Sequence, residues 1–198
     1  MHLLVDSTGL KLGGPGAWLS EKHGTKIRRS WRKLPLGVDA ATGAITAAEL
    51  TTNDADDGAQ VGPLLDQVEG AAVAWFTGDG ADDREDVDAA AAERHPEAAA
   101  VVAPPRSSAV ARGTTATAPT RRDRHLELIA ERGRRGWRKA TGYNARAKAE
   151  AAVSRYKRVI GDALRSRTDD RQATEAAIAV RALNRMLELG RPESVRIA

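Results

Sequence analysis

The sequence predicts one α/β domain over residues 1–198, with a mixed sheet flanked by helices. Three observations lead there. Short apolar runs of strand length recur at Leu3–Val5, Ala71–Phe76 and Ala98–Val102. Stretches with helical apolar spacing lie between and after them. A polar turn, Asp39–Gly43, separates two further strand-like runs.

Taken in order, Leu3-Leu4-Val5 reads as a buried strand that stops at a polar turn, Asp6-Ser7-Thr8-Gly9. Lys11 to Ser30 is rich in glycine and charge and reads as an exposed loop or hairpin. Trp31–Val38 and Ile45–Leu50 form the predicted hairpin. After Asn53-Asp54, the positions Val61, Leu64, Leu65 and Val68 follow helical spacing. Ala71–Phe76 gives a strand ending in Thr77-Gly78-Asp79-Gly80, followed by a helix from Asp82 to Arg94 and a strand at Ala98–Val102. Pro104–Pro119 has the small, Pro- and Thr-rich composition of a flexible insertion, about residues 104–120. Two helices, Asn144–Arg167 and Asp170–Leu189, close the chain, with Gly190 and Pro192 as stop signals.

Composition narrows the function classes. Hydrophobic residues at 41% and charged residues at 29% fit a globular protein, and aromatics at 4% leave the packing to aliphatic side chains. No run approaches the roughly 18 apolar residues of a membrane span, and the start lacks the features of a signal peptide, so the cytoplasm is the expected location. The chain has no cysteine, which excludes disulfides and thiolate metal sites and leaves oxygen or imidazole for any metal. Net charge is +4 and the pI about 9.7. The basic residues bunch at Lys22–Lys33 and Arg121–Lys139, as phosphate contacts would require, or as a solvated surface would equally show. Within these clusters, Trp137 reads as a packing residue rather than a base-stacking one, and His23 and His125 as surface or DNA-facing residues.

Three carboxylates stand out. Asp6 and Asp79 each follow a short apolar strand and precede a glycine. Strand ends are where α/β sheets place their ligands, although aspartate is also an ordinary turn residue. At about 100° per residue, Tyr143, Arg146, Glu150 and Lys157 project within about 40° of one helical meridian. Val153, Tyr156, Ile160 and Leu164 lie on another face. An i, i+4 salt bridge between Arg146 and Glu150 is the plainer account of that pair. Three converging acids would suit two divalent ions about 4 Å apart in an in-line phosphoryl transfer, with Arg and Lys beside them for the scissile strand's phosphates.

These residues resemble the DDE transposases of the insertion-sequence-five group, which have a ribonuclease-H-like fold. Asp6-Ser7-Thr8-Gly9-Leu10-Lys11 resembles the first catalytic block, and Gly78-Asp79-Gly80-Ala81 the second. Glu21–Gly24, Trp31–Asp39, and Thr52-Asn53-Asp54 followed by Asp56-Asp57 are similar to segments between them. Tyr143, Arg146, Glu150 and Lys157 match the group's Tyr, Arg, Glu, Lys signature in residue and spacing, and Ala182–Met186 is similar to its terminal helix.

The resemblance implies that Asp6, Asp79 and Glu150 ligate two Mg²⁺ or Mn²⁺ ions. It implies that Tyr143, Arg146 and Lys157 position DNA, with Lys22, Arg32 and Lys33 as further phosphate contacts. Cleavage at transposon ends is then followed by attack of the freed 3′-hydroxyl on target DNA, without a covalent enzyme–DNA intermediate. A homodimer on DNA is expected, since two ends are cut together.

Three departures stand beside the match. Ala81-Asp82-Asp83 replaces a commoner tyrosine, so Asp82 or Asp83 competes with Asp79 for metal or simply caps a helix. Pro35 stands where relatives often carry histidine. Asp6 lies almost at the N-terminus, which leaves the group's upstream DNA-binding region absent and an upstream-frame product as a possible partner. The alternatives are a nuclease of ribonuclease-H type that cuts without joining, and a catalytically silent DNA-binding fragment that inhibits full-length transposase.

Overall fold

The computed structural model describes residues 1–13, 31–68, 70, 72–98, 100–102 and 119–190. Strand β1 (His2–Leu12) is the backbone of the sheet. It pairs antiparallel with β2 (Trp31–Asp39) along its length, from Leu3↔Asp39 to Lys11↔Trp31. β2 continues the hairpin into β3 (Ile45–Ala48) and also takes β4 (Thr51–Thr52). On its other side β1 pairs in parallel with β5 (Trp75–Thr77), which pairs in parallel with β6 (Ala100–Val102). The order is β3-β2-β1-β5-β6, a mixed sheet, with β7 (Ala163–Leu164) added to the far end of β1.

Strand alternation supplies both faces of this sheet. Leu4, Leu10, Leu34, Leu36 and Val38 face α4 (Ala147–Val159) and α5 (Asp169–Leu189), packing on Ala149, Ala152, Tyr156, Ala176 and Leu183. Leu3, Val5, Ala47 and Phe76 face the opposite side, against Val61, Leu64 and Leu65 of α1 (Val61–Asp66) and Val87 and Ala91 of α2 (Glu85–Arg94). Fully buried leucines such as Leu3, Leu4, Leu34 and Leu36 contribute about 1.5–3 kcal/mol each. The small residues of α4, Ala149 and Ala152, let the helix lie close to the sheet.

Several elements differ from their predicted bounds. β1 does not stop at Asp6: it runs through the polar Asp6-Ser7-Thr8-Gly9 to Leu12, because β2 pairs with each residue up to Lys11 and β7 with Lys11 and Leu12. The helix expected to reach Arg167 ends at Val159, where Ile160, Gly161 (φ 121°) and β7 turn the chain back to β1. A long helix, α3 (Arg121–Thr141), stands where only a basic cluster was read. Its start is a reciprocal cap, Thr120 with Asp123, a signal present in the sequence, while its arginine density and two glycines hide the apolar period. Gly133, at φ 67° and ψ 170°, breaks the helix in two, in a region that glycine alone occupies without strain. Most of the insertion read at Pro104–Pro119 lies outside the described residues. No described helix is long and apolar enough to cross a membrane.

Candidate active site

The β1–β5 ladder ends at the pair Leu4↔Thr77. Asp6 and Asp79 each lie two residues beyond it, so the register brings the two acids side by side where the strands part. Beyond that point the β5 side of β1 is open, and a cleft of about 270 Å³ is lined there by Asp6, Ser7, Lys33, Asp57, Asp79 and Asp82. Asp6 shares the face of Leu4, towards α4, and this brings it to the helix that carries Glu150.

Asp79 is held by a reciprocal cap. Its carboxylate accepts from the Ala81 amide at 2.6 Å, while the Asp82 carboxylate accepts from the Asp79 amide at 2.8 Å. This fixes a single turn of 3-10 helix, Gly80–Asp82. Burial pushes the Asp82 carboxyl up to about 6, the nearby negative charges of Asp79 and Asp57 adding to the effect of burial and the Asp79 amide opposing it. The structure thus gives Asp82 the capping role. Asp83 is engaged differently, in a buried ion pair with Arg122 of α3 at 2.7 Å.

One guanidinium joins the three acids. Arg146 reaches Asp6 at 2.9 Å and Glu150 at 2.5 Å, and lies 3.8 Å from Asp79. The i, i+4 bridge read from the sequence is therefore present, and its arginine also spans to two acids remote in sequence. Burial raises the Asp6 carboxyl above its ordinary pKa; Arg146 and the Ser7 amide oppose that rise, and the charges of Asp79 and Glu150 reinforce it. The side chains grade in exposure from Asp6 at 16% to Asp79 at 46% and Glu150 at 59%. Among the described residues no three acidic or imidazole groups stand close enough together to hold one metal ion as they are.

Tyr143 and Arg146 belong to a 3-10 turn, Tyr143–Arg146, that follows Gly142 at φ 70°. A small satellite core sets the ring of Tyr143. Buried Trp137 packs on it with ring centroids 5.1 Å apart, and donates from its indole N–H to His125 Nδ1 at 2.9 Å. Trp137 is thus a packing residue. Arg138 lies over the Tyr143 ring, 6.0 Å from its centroid.

The other predicted contacts divide. Lys157 shares with Glu150 a shallow groove that Arg158 and Asp162 also line. Lys33 reaches the cleft, donating to the Ala55 carbonyl at 2.7 Å and pairing with Asp57 at 3.3 Å. Arg32, its neighbour on the opposite face of β2, donates to Gln172 at 3.2 Å and pairs with Asp169, tying the sheet to α5. Lys22 and His23 lie outside the described residues. Asp57, in the Asp56-Asp57 pair, was read only as part of a pattern. It also stands within 3.5 Å of the Ser7 hydroxyl.

A family model described as the transposase DDE domain matches residues 1–185 of the chain. No solved structure matches it.

Proposed function

The chain belongs to the transposase DDE-domain family, a family of ribonuclease-H-like mixed sheets flanked by helices that carries out DNA cleavage in transposition. From that premise we propose that it cuts strands at the ends of an element of the insertion-sequence-five group and joins them to target DNA, with Asp6, Asp79 and Glu150 holding two Mg²⁺ or Mn²⁺ ions. The observation behind this reading is the convergence of three acids, from β1, the turn after β5 and α4, on one cationic group.

The donor set fits such ions. All three donors are carboxylates, the hard oxygen ligands that Mg²⁺ and Mn²⁺ favour; they already face one positive charge, and two of them, Asp6 and Asp79, line the open cleft. When bound, the ions supply Lewis-acid activation of the attacking and leaving oxygens. The chain's own residues do the rest. Asp6, fixed on the sheet, and Asp79, fixed by its cap, define the frame, and Glu150 closes it from the more exposed helix face. Tyr143, in the turn ahead of α4, and Lys157, on α4 itself, lie on either side of Glu150 in the chain and contact the phosphates of the strand being cut, and Lys33 does so from the cleft lining. Two copies act together, one on each element end.

The test is a Mn²⁺- or Mg²⁺-dependent nicking assay on DNA bearing the element's ends, comparing the chain with Glu150→Gln. Metal-dependent cutting that the substitution abolishes is the expected result. Cutting that survives Glu150→Gln refutes the assignment of the acids. If neither this chain nor one fused to an upstream DNA-binding region cuts, the enzyme reading gives way to that of a silent regulatory fragment.

A further inference from the structure

We infer that Arg146 is the resident counter-cation of the acid site, exchanged for divalent metal, so that loading the metal releases the guanidinium towards the bound DNA strand. This rests on the proposed role of Asp6, Asp79 and Glu150 as metal ligands.

Both Nη atoms of Arg146 are committed to carboxylates, Nη1 to Glu150 at 2.5 Å and Nη2 to Asp6 at 2.9 Å, with Asp79 at 3.8 Å. A guanidinium has five N–H donors in a rigid fork, and this placement leaves Nε buried with no partner. The fork is therefore placed for the charges of the acids, at the expense of its own hydrogen bonding. Three carboxylates against one guanidinium leave a formal charge of −2 at neutral pH, enough to draw in a further cation. A divalent ion drawn to the same three carboxylates would set its charge against the guanidinium that now engages one oxygen of each, so each cation weakens the other's hold. Arg146 also sits in the 3-10 turn just ahead of α4, where its side chain can leave the acids without unwinding the helix. Once released from its place in the turn between Tyr143 and α4, it can turn to a phosphate of the strand, which offers it two oxygens.

Competition and scaffolding make opposite predictions. A competitor's removal tightens metal binding, whereas removal of a scaffold that preorganises the acids weakens it. The test is Mn²⁺ binding to the full chain without DNA, read as loss of the free-ion signal in electron paramagnetic resonance. Wild type, Arg146→Gln and Glu150→Gln are compared, with thermal melts alongside.

The expected result is that Arg146→Gln binds Mn²⁺ about tenfold more tightly. Without metal it also melts below wild type, because the acids repel one another, and it gains more from added Mn²⁺ than wild type does. Equal or weaker binding by Arg146→Gln, with binding lost in Glu150→Gln, overturns the exchange and leaves the ligand assignment standing. Binding unchanged in Glu150→Gln removes the ligand assignment itself, and the exchange with it. Should Arg146→Gln fail to fold, Arg146→Lys keeps the charge on a compact ammonium that cannot bridge three acids. It is expected to bind Mn²⁺ more tightly than wild type, and unchanged or weaker binding overturns the inference.

Discussion

Gly78→Ala probes how the second acid is held. Gly78 lies between the end of β5 and Asp79. A Cβ there would run into the Asp82 carboxylate, 2.8 Å from its Cγ and 2.9 Å from its Cβ. Asp82 is only 6% exposed, so it has little room to swing aside. Either the carboxylate moves and the Asp79 N–H to Asp82 bond at 2.8 Å is lost, or it stays and the overlap persists. The first costs about 1.5–3 kcal/mol for a charge-assisted bond, the second about 1–3 kcal/mol of overpacking. The protein takes the cheaper route, and the expected destabilisation is about 2 kcal/mol.

A double-mutant cycle with Asp82→Ala, read by urea denaturation of the four proteins, isolates that mechanism. Gly78 is not at positive φ, so alanine there is acceptable to the backbone. With the carboxylate gone, only the 2.9 Å contact with the Cβ of residue 82 remains, so Gly78→Ala should cost clearly less than it does in wild type. Costs that add to within about 0.5 kcal/mol would refute the clash with Asp82 as the cause. Nicking should fall with Gly78→Ala as well, since the same turn holds the Asp79 carboxylate against the Ala81 amide.

Three further outcomes are expected. Arg122→Met strips the partner from Asp83, whose side chain is 6% exposed, and should cost about 3–5 kcal/mol; Arg122→Met with Asp83→Asn should recover part of that in a thermal melt, and no recovery would count against the pair. Gly142→Ala, at φ 70°, should cost about 1–2 kcal/mol and Gly142→Asn less; equal costs would show that the left-handed turn before Tyr143 is not what glycine provides. For Asp39, burial alone would raise the carboxyl, but bonds from the Thr42 hydroxyl and the Thr42 and Ala41 amides outweigh it and hold the pKa below its ordinary value. A depressed folded-state pKa gives stability that is present above the unfolded pKa and lost as pH falls through the folded one. The gap between wild type and Asp39→Ala in urea, about 1 kcal/mol at neutral pH, should narrow below the ordinary carboxylate range, and a gap constant into strong acid would disprove the contribution of the charged form.

What the sequence made legible follows the range of the interaction. The Asp39–Gly43 turn, the Arg146–Glu150 pair and the apolar period of α1 are local; the first two appear as read, and α1 holds Val61, Leu64 and Leu65 but ends at Asp66, short of Val68. The extension of β1 past Asp6 was hidden because polar residues usually end a strand, and only pairing with β2, some thirty residues away, carries it on. α3 was missed because its inward face is little more than Trp137, with Leu128 and Ile129 partly buried beside it. That is too sparse a period to read among so many arginines. The Asp83–Arg122 and Asp6–Arg146 contacts bridge 39 and 140 residues, and no local pattern contains them.

The same difference in range bears on how the site works. Asp6 is bound into the central strand and accepts from its neighbour's amide at 3.0 Å, and Asp79 is locked by a two-way cap. Glu150, the most exposed of the three, is held by its ion pair with Arg146. The two acids beside the strand ends are thus tied by short local bonds, whereas the acid on the helix relies on its pair with Arg146. The guanidinium that links them is the piece with an unmet donor. In the exchange inferred above, Arg146 and Glu150 would be the groups to move, with Asp6 and Asp79 kept in place by their local bonds. Substitutions that loosen α4 should therefore disturb closure of the site before they disturb its frame, whereas those at Gly78 or Asp82 should do the reverse.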